Sequence, residues 1–482
     1  MSLPPSRLLL TGILVTFGGS FHMGYQLSIV NPTQAMFEDF FNSSYHSHYH
    51  TYLSDSGSRF LWSAVTGSLF LGAFVGTAVM PWFANRFGRR TGLFLSSILF
   101  ILATIPSALS YYLNAFEMFV FGRLLFGVAV GMASGLQGLY LSEISPTGHR
   151  GFIGTLTGLM VELGLMVGAF LALPTVSGTE HYWPLLYWIE MAPSILLVAA
   201  LFFSHESPAY LLSQGQENEA KRSIHTYHGF ENEYDTESVL EEIRRELELQ
   251  KHSVGLFELF TVRYAARGTV LGVLTNFGIS FSGVVALSFF ATYLLKQMGF
   301  SELGAAYANA AITVAAFLSA CIAAFAIESR GRKALLTFAC FSLAFLQAVM
   351  LILLLTFEDF DLTGLGYVFL LATIAYMFCF GVGMAPIPWF ITTELVPQNS
   401  RASAQGLAIM VQWITSFVAP IIFYPLELKV EAFSFLLFII PMLLLGAYFF
   451  RALPETKNKT IDEVLEDLYG VLLPRSIHVE RF

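Results

Sequence analysis

Long apolar runs, each closed by a short polar turn, recur from one end of the chain to the other. A helix needs about 20 mostly apolar residues to cross a bilayer. Twelve stretches reach that length: Leu8 to Val30, Phe60 to Phe83, Thr91 to Ser110, Glu117 to Leu141, Gly151 to Leu173, Pro184 to Phe203, Thr269 to Leu295, Glu302 to Ile327, Ala334 to Phe357, Gly364 to Thr393, Ala402 to Tyr424 and Glu431 to Ala452. The runs are continuous and do not alternate, which predicts helices and argues against a membrane barrel. They divide six and six around a polar segment. The expected organisation is an N-terminal half over 1–203, a linker over 204–267, a C-terminal half over 268–452 and a tail over 453–482.

The linker breaks the apolar rhythm. From Glu217 to Arg222 and from Glu237 to Lys251 it is mostly charged, with Val239, Leu240, Ile243 and Leu247 on one stripe. That spacing predicts surface helices whose stripe docks on the underside of the bundle. A protein-recruitment surface is the alternative use of the same helices. The tail has one further helix-like stretch, Ile461 to Tyr469.

Composition strengthens the pattern. With 55% hydrophobic and 12% charged residues among 482, the chain has too little polar surface for an ordinary soluble domain. Much of its acid lies in the linker, so the net charge of -9 offers no basic face to nucleic acid. Cys321, Cys340 and Cys379 sit inside apolar runs without metal-ligand spacing and read as small buried hydrophobes. No metal, cofactor or obligate protein partner is expected. The first run lacks a small-residue cleavage site and reads as a spanning helix, not a removed leader. In the fourth run Gly127, Gly131 and Gly135 share a face that lets a neighbouring backbone approach closely.

Basic residues set the expected orientation. One set of turns carries only Arg59, Lys296 and Lys429; the other carries Arg7, Arg86 to Arg90, Arg150, the linker, Arg330 to Lys333, Arg401 and the tail. Lysine and arginine favour the cytoplasmic side, which places both termini there. The long outward loop from Asn31 to Arg59 then holds a glycosylation sequon at Asn42-Ser43-Ser44, consistent with a plasma-membrane protein. His46, His48 and His50 alternate with Tyr45, Ser47 and Tyr49; a solvated polar loop is the first reading and a zinc clip the second.

The two arginine turns occupy matching places in the two halves, which suggests an internal repeat. They are Asn85-Arg86-Phe87-Gly88-Arg89-Arg90 and Glu328-Ser329-Arg330-Gly331-Arg332-Lys333. Together with Gly122-Arg123, Ser142-Glu143-Ile144-Ser145-Pro146 before Arg150-Gly151, Glu206-Ser207-Pro208, Pro386-Ile387-Pro388-Trp389-Phe390, Thr393-Glu394-Leu395 before Arg401, and Pro454-Glu455-Thr456-Lys457, they carry a resemblance. In this order the chain resembles the sugar porters of the major facilitator superfamily, most closely the animal facilitative glucose transporters. The resemblance implies an all-α membrane protein of two six-helix halves around a central site that opens to alternate sides. It also implies a small sugar-like solute as partner, besides the bilayer.

Acids and bases alternate at equivalent places in both halves, which suits a cytoplasmic gate of ion pairs. Its candidates are Arg89, Arg90, Glu143, Arg150 and Glu206 in the first half, and Glu328, Arg332, Glu394, Arg401 and Glu455 in the second. The alternative is that these charges set topology alone. For the solute, the candidate binding residues are Gln26, Asn31, Glu162, Asn276, Ser280, Trp389, Gln412 and Trp413. Gly381, Gly383, Pro386 and Pro388 make the tenth run a poor continuous rod, and a broken helix can bend and line a cavity. Trp389 at the end of that break is placed to stack on a sugar ring.

The departures concern the same cavity. Ile279 and Ser280 stand where paired glutamines would be, Val285 and Ala316 where asparagines would be, and Gly381 where a glutamate would be. Gln412 and Ser416 replace asparagines. Gly158 stands at the usual glutamine, with Glu162 one turn on, and His22 lies one turn from Gln26. An acid at membrane depth costs about 3 kcal/mol on insertion scales, which marks Glu162 as a functional candidate. The expected function is facilitated diffusion of a hexose or sugar-like solute. A proton-coupled carrier, or a carrier of a non-hexose or cationic solute, using Glu162 and His22, is the alternative, and a transport-dead receptor a third reading. No nucleophile, base and oxyanion set argues for an enzyme, and no ring of filter residues for a channel.

Overall fold

The computed structural model describes residues 4–146, 149–229, 233–250, 255–262, 265–360, 363–457, 459 and 461–470. Twelve helical segments among them are long and apolar enough to cross a membrane. The first span is broken into α1 (Ser6–Phe17) and α2 (Ser20–Ser28), after which α3 (Gln34–Tyr49) lies outside the spans. Spans two to six are α4 (Asp55–Phe87), α5 (Arg89–Leu113), α6 (Phe116–Ile144), α7 (Arg150–Leu171) and α8 (Trp183–Phe202). Three linker helices follow: α9 (Pro208–Ser213), α10 (Glu217–His228) and α11 (Glu233–Gln250). The seventh span is again broken, into α12 (Ala266–Phe281) and α13 (Val284–Gln297), and precedes α14 (Glu302–Arg330) and α15 (Arg332–Phe360). The tenth comprises α16 (Thr363–Cys379), a π-helical turn over 380–384 and α17 (Pro388–Leu395); α18 (Arg401–Val430), α19 (Leu436–Ala452) and the tail helix α20 (Ile461–Tyr469) complete the chain.

The breaks have local causes. At Gly283 the backbone adopts φ +91°, a region open to glycine, and the carbonyl freed at Ser282 accepts bonds from Gln347 Nε2 at 2.5 Å and Tyr376 Oη at 2.6 Å. In the tenth span Pro386 and Pro388 lack donors, so the helix widens before them and restarts with Pro388 in its first turn. The tenth span was expected to be broken. The seventh and first were read as continuous; Gly283 and the Gly18-Gly19 pair divide them.

Glycine contacts set the packing within and between halves. A Cβ on Gly72 or Gly76 of α4 would stand 2.2 Å from a carbonyl oxygen of α6, and one on Gly127 or Gly131 would stand 2.0–2.1 Å from one of α4. The face predicted from Gly127 and Gly131 is thus a backbone-to-backbone crossing, while Gly135 receives the Met80 side chain instead. The halves meet where α4 packs on α18 and α7 on α14.

Two surface readings change. The region 31–59, expected as a loop, contains the helix α3, whose Phe37 and Phe41 are buried against Trp62, Phe119 and Trp183. Its sequon is therefore helical: Asn42 is half-buried, and Ser44 Oγ accepts from the Phe116 amide at 2.9 Å and donates to the Asn114 carbonyl at 2.6 Å. His48 faces Glu117 at 3.2 Å and His46 stacks on Tyr52; among the described residues no cluster of three metal-ligating side chains forms. In the linker, Leu240 and Ile243 pack with Leu211, Ala220 and Ile224, with Val239 and Leu247 at the edge. The stripe is real, but its main partners are the other linker helices; ties to the bundle include Tyr227, whose hydroxyl lies 2.9 Å from that of Tyr140 on α6, and Tyr210, whose hydroxyl donates to the Arg86 carbonyl at 3.3 Å.

Candidate functional site

Between the halves lies a cavity of about 20 Å3, lined by Ser28, Asn31 and Leu165 from the first half and by Leu287, Asn309 and Thr313 among others from the second. That is room for a water or so, not a hexose. Asn31, at the end of the first span, bridges the halves. Its Nδ2 donates to Asn309 Oδ1 at 3.2 Å and to the Leu287 carbonyl at 3.3 Å, while its Oδ1 accepts from the Thr292 amide at 3.0 Å. Leu287 and Thr292 belong to α13, the short helix freed by the Gly283 break. Asn31 was expected among solute ligands; the structure gives it to a bond between halves on the face away from the linker.

Deeper in the second half, polar residues gather around the break in the tenth span. Asn276 Nδ2 donates to the Pro388 carbonyl at 3.1 Å and to Gly272 at 2.9 Å, and Gln405 Nε2 donates to the Trp389 carbonyl at 2.8 Å. Ser280 Oγ lies 2.7 Å from Ser416 Oγ and donates to the Gln412 carbonyl at 3.1 Å. Trp413 is fully buried, stacked on Phe70, and donates through Nε1 to Thr77 Oγ1 at 2.9 Å, across the halves. Trp389 is half-buried with its ring 6.0 Å from that of Trp413. The structure therefore brings together Asn276, Ser280, Trp389, Gln412 and Trp413, and adds Gln405, which sequence reasoning missed.

Gln26 lies elsewhere, inside the first half. Arg123 Nη1 donates to Gln26 Oε1 at 2.8 Å and Gln26 Nε2 donates to Glu190 Oε2 at 2.6 Å; these partners fix the amide's orientation. Glu190 Oε1 also faces His22 Nδ1 at 3.3 Å, and His22 Nε2 lies 2.7 Å from Ser194 Oγ. All five residues are buried. Membrane-depth charges persist when they are paired in this way. The sequence singled out Gln26 and His22 but not Glu190, although a lone acid inside the sixth apolar run was the available signal. Arg123 was read only as part of a motif.

Glu162 contrasts with Glu190. It is 5% exposed on α7, and its Oε2 has no hydrogen-bond partner. It lies one turn from Leu165, which lines the cavity between the halves. Gly158, one turn the other way, has nothing within 4 Å of where a Cβ would stand.

On the linker face the charged turns form two equivalent nests. Gly88, at φ +89°, and Gly331, at φ +86°, each precede a spanning helix whose first amides are without intrahelical partners. Glu206 accepts from the amides of Arg89 and Arg90 at 3.0 Å, and Glu455 accepts from those of Arg332 and Lys333 at 2.8 and 3.1 Å. A carboxylate at a helix N-terminus meets both the free donors and the positive end of the dipole. Beside them, Arg89 pairs with Glu143 at 2.8 Å and Arg332 with Glu394 at 3.1 Å. Arg90 Nε caps the end of α8 at the Leu201 carbonyl, 2.7 Å away, and Arg150 Nε donates to Ser145 at 3.2 Å. These clusters close within their own half. Arg401 begins α18, and the side chain of Glu328 lies outside the described residues. Burial raises the Glu206 carboxyl above its ordinary 4.5, with the amide bonds and Arg89 pulling the other way.

Residues 11–468 match the family model for the sugar (and other) transporters. The chain is 29% identical over 460 residues to the horse (Equus caballus) solute carrier family 2, facilitated glucose transporter member 5, covering 95% of this chain and 91% of that protein. It is 28% identical over 472 residues to the sheep (Ovis aries) member 3, covering 96% and 93%. Among solved structures it resembles the proton:xylose symporter XylE bound to 6-bromo-6-deoxy-D-glucose, with a TM-score of 0.81, 22% identity and coverage of 96% and 99%. The inward open conformation of the xylose transporter XylE from E. coli gives a TM-score of 0.77 at 20% identity, with 96% and 99% covered.

Proposed function

The chain belongs to the sugar (and other) transporter family, and from that premise we propose that it carries a hexose or hexose-like polyol across the membrane by alternating access, down its gradient. The observation that supports this reading best is the Asn31 bridge. It joins the first half to α13, which begins after the Gly283 break, beside a cavity that both halves line. Parting the halves on that face requires only that these bonds and the adjacent packing give way. On the other face the nests at Gly88 and Gly331 keep each half rigid while the halves rock. The placement of basic residues puts this linker face in the cytoplasm, and the sequon at Asn42 favours the plasma membrane.

The test is uptake of radiolabelled glucose and fructose by proteoliposomes holding the full chain, with and without a proton gradient. Equilibration down the solute gradient is expected; failure to move any hexose or polyol would refute the proposal. One observation favours a second reading, proton-linked transport: the buried network of His22, Glu190, Gln26 and Arg123. Uptake against a solute gradient when protons are supplied, lost in Glu190→Gln, would select it.

A further inference from the structure

Around the second-half site three amide oxygens are buried without donors, with the Thr392 hydroxyl also unpartnered nearby. The amide nitrogens of Asn276 and Gln405 face carbonyl oxygens, which fixes both orientations and leaves Asn276 Oδ1 and Gln405 Oε1 buried without donors. Gln412 Oε1 is in the same position. In the first half the carboxylate of Glu162 is also buried with Oε2 unpartnered, and it shares a face of α7 with Leu165, which lines the cavity between the halves, and with Gly158, which faces open space.

The two buried acids of the first half therefore stand in opposite conditions. Glu190 is answered by Gln26 and His22, with Arg123 behind Gln26. Glu162 has no such set, and a buried acceptor left unmatched destabilises the site until a donor reaches it. A neutral hexose supplies hydroxyl donors but brings as many oxygens that need donors in return. A protonated amine is a donor only, with three hydrogens and a charge opposite to that of a carboxylate.

We propose that the preferred solute is a hydroxylated molecule bearing a protonated amine, with Glu162 as the specificity-determining group that receives the amine and the orphaned amide oxygens receiving hydroxyls. This rests on the transport reading and narrows its substrate class. The experiment compares initial uptake of D-glucosamine and D-glucose by the full chain in proteoliposomes, with the membrane potential clamped at zero and the pH low enough to protonate the amine. Wild-type protein is expected to favour glucosamine by about tenfold. Glu162→Gln should bring the ratio to about one, and Glu162→Asp should keep a preference. In wild-type protein alone, glucosamine should inhibit glucose uptake and the uncharged N-acetylglucosamine should not. Glucose uptake with no preference for the amine, or equal inhibition by both competitors, overturns the inference and leaves the transport reading standing; no uptake of any solute removes both.

Discussion

Glu206 shows how one side chain can report the state of a face. Its carboxyl is raised by burial, so the folded arrangement binds its proton more tightly than a solvated glutamate does. The sign follows directly: the penalty for holding the ionised form is present above the raised value and is relieved as pH falls through it toward the ordinary 4.5. Wild-type protein should therefore gain thermal stability over that window relative to Glu206→Gln, in which the group cannot titrate. Stability curves of the two proteins that stay parallel from neutral pH downward would contradict this. Gly381 makes a second residue-scale case. A Cβ there would stand 1.7 Å from Ser319 Oγ, so the glutamate expected at this place has no room. Gly158 is the opposite, with nothing within 4 Å, and Gly158→Gln should fold normally. If the missing amide is what weakens neutral hexose binding, this variant should raise glucose uptake several-fold, on the order of the 0.5–1.5 kcal/mol net worth of one hydrogen bond.

At the scale of elements, the glycine turns and the helix breaks do different work. Gly88 combines φ +89° with ψ 173°, a conformation essentially confined to glycine and costing other residues about 1–3 kcal/mol. Its Cβ would also stand 2.4 Å from Glu206 Oε2. Gly88→Ala is expected to lower the thermal midpoint, with Gly331→Ala doing the same through Glu455 at 2.5 Å. An unchanged midpoint in both would show that the nests contribute little rigidity. Gly283 instead breaks the seventh span between α12 and α13, while Gln347 and Tyr376 hold the freed carbonyl. The linker helices depend chiefly on one another, because their apolar stripe closes on their own small core.

For the whole molecule, the direction of opening depends on bonds that cross between halves. Asn31→Ala removes three of them at once, each worth about 0.5–1.5 kcal/mol net. The variant should open more readily on the face away from the linker. Spin labels placed on α3 and α14 should report a longer-distance population than in wild type, while labels on the linker face should not lengthen. An unchanged distribution would show that packing, not Asn31, holds that face shut.

The sequence by itself determined the twelve spans, their division around a linker, the broken tenth span and the family, because bilayer thickness and the shape of proline act locally and leave their mark in consecutive residues. The arginine turns were equally legible, since charge beside an apolar run is conspicuous. Only the tertiary structure decided their partners. Glu206 lies 117 residues from Arg89, and nothing local in either segment announces that one will cap the helix begun by the other. The same separation hid the pairing of Gln26 with Glu190 and placed Asn31 on a bridge between halves. Glu162 could be singled out from sequence as an acid at membrane depth, but whether it was answered, as Glu190 is, or left with an unpartnered oxygen depended on which helices pack against it.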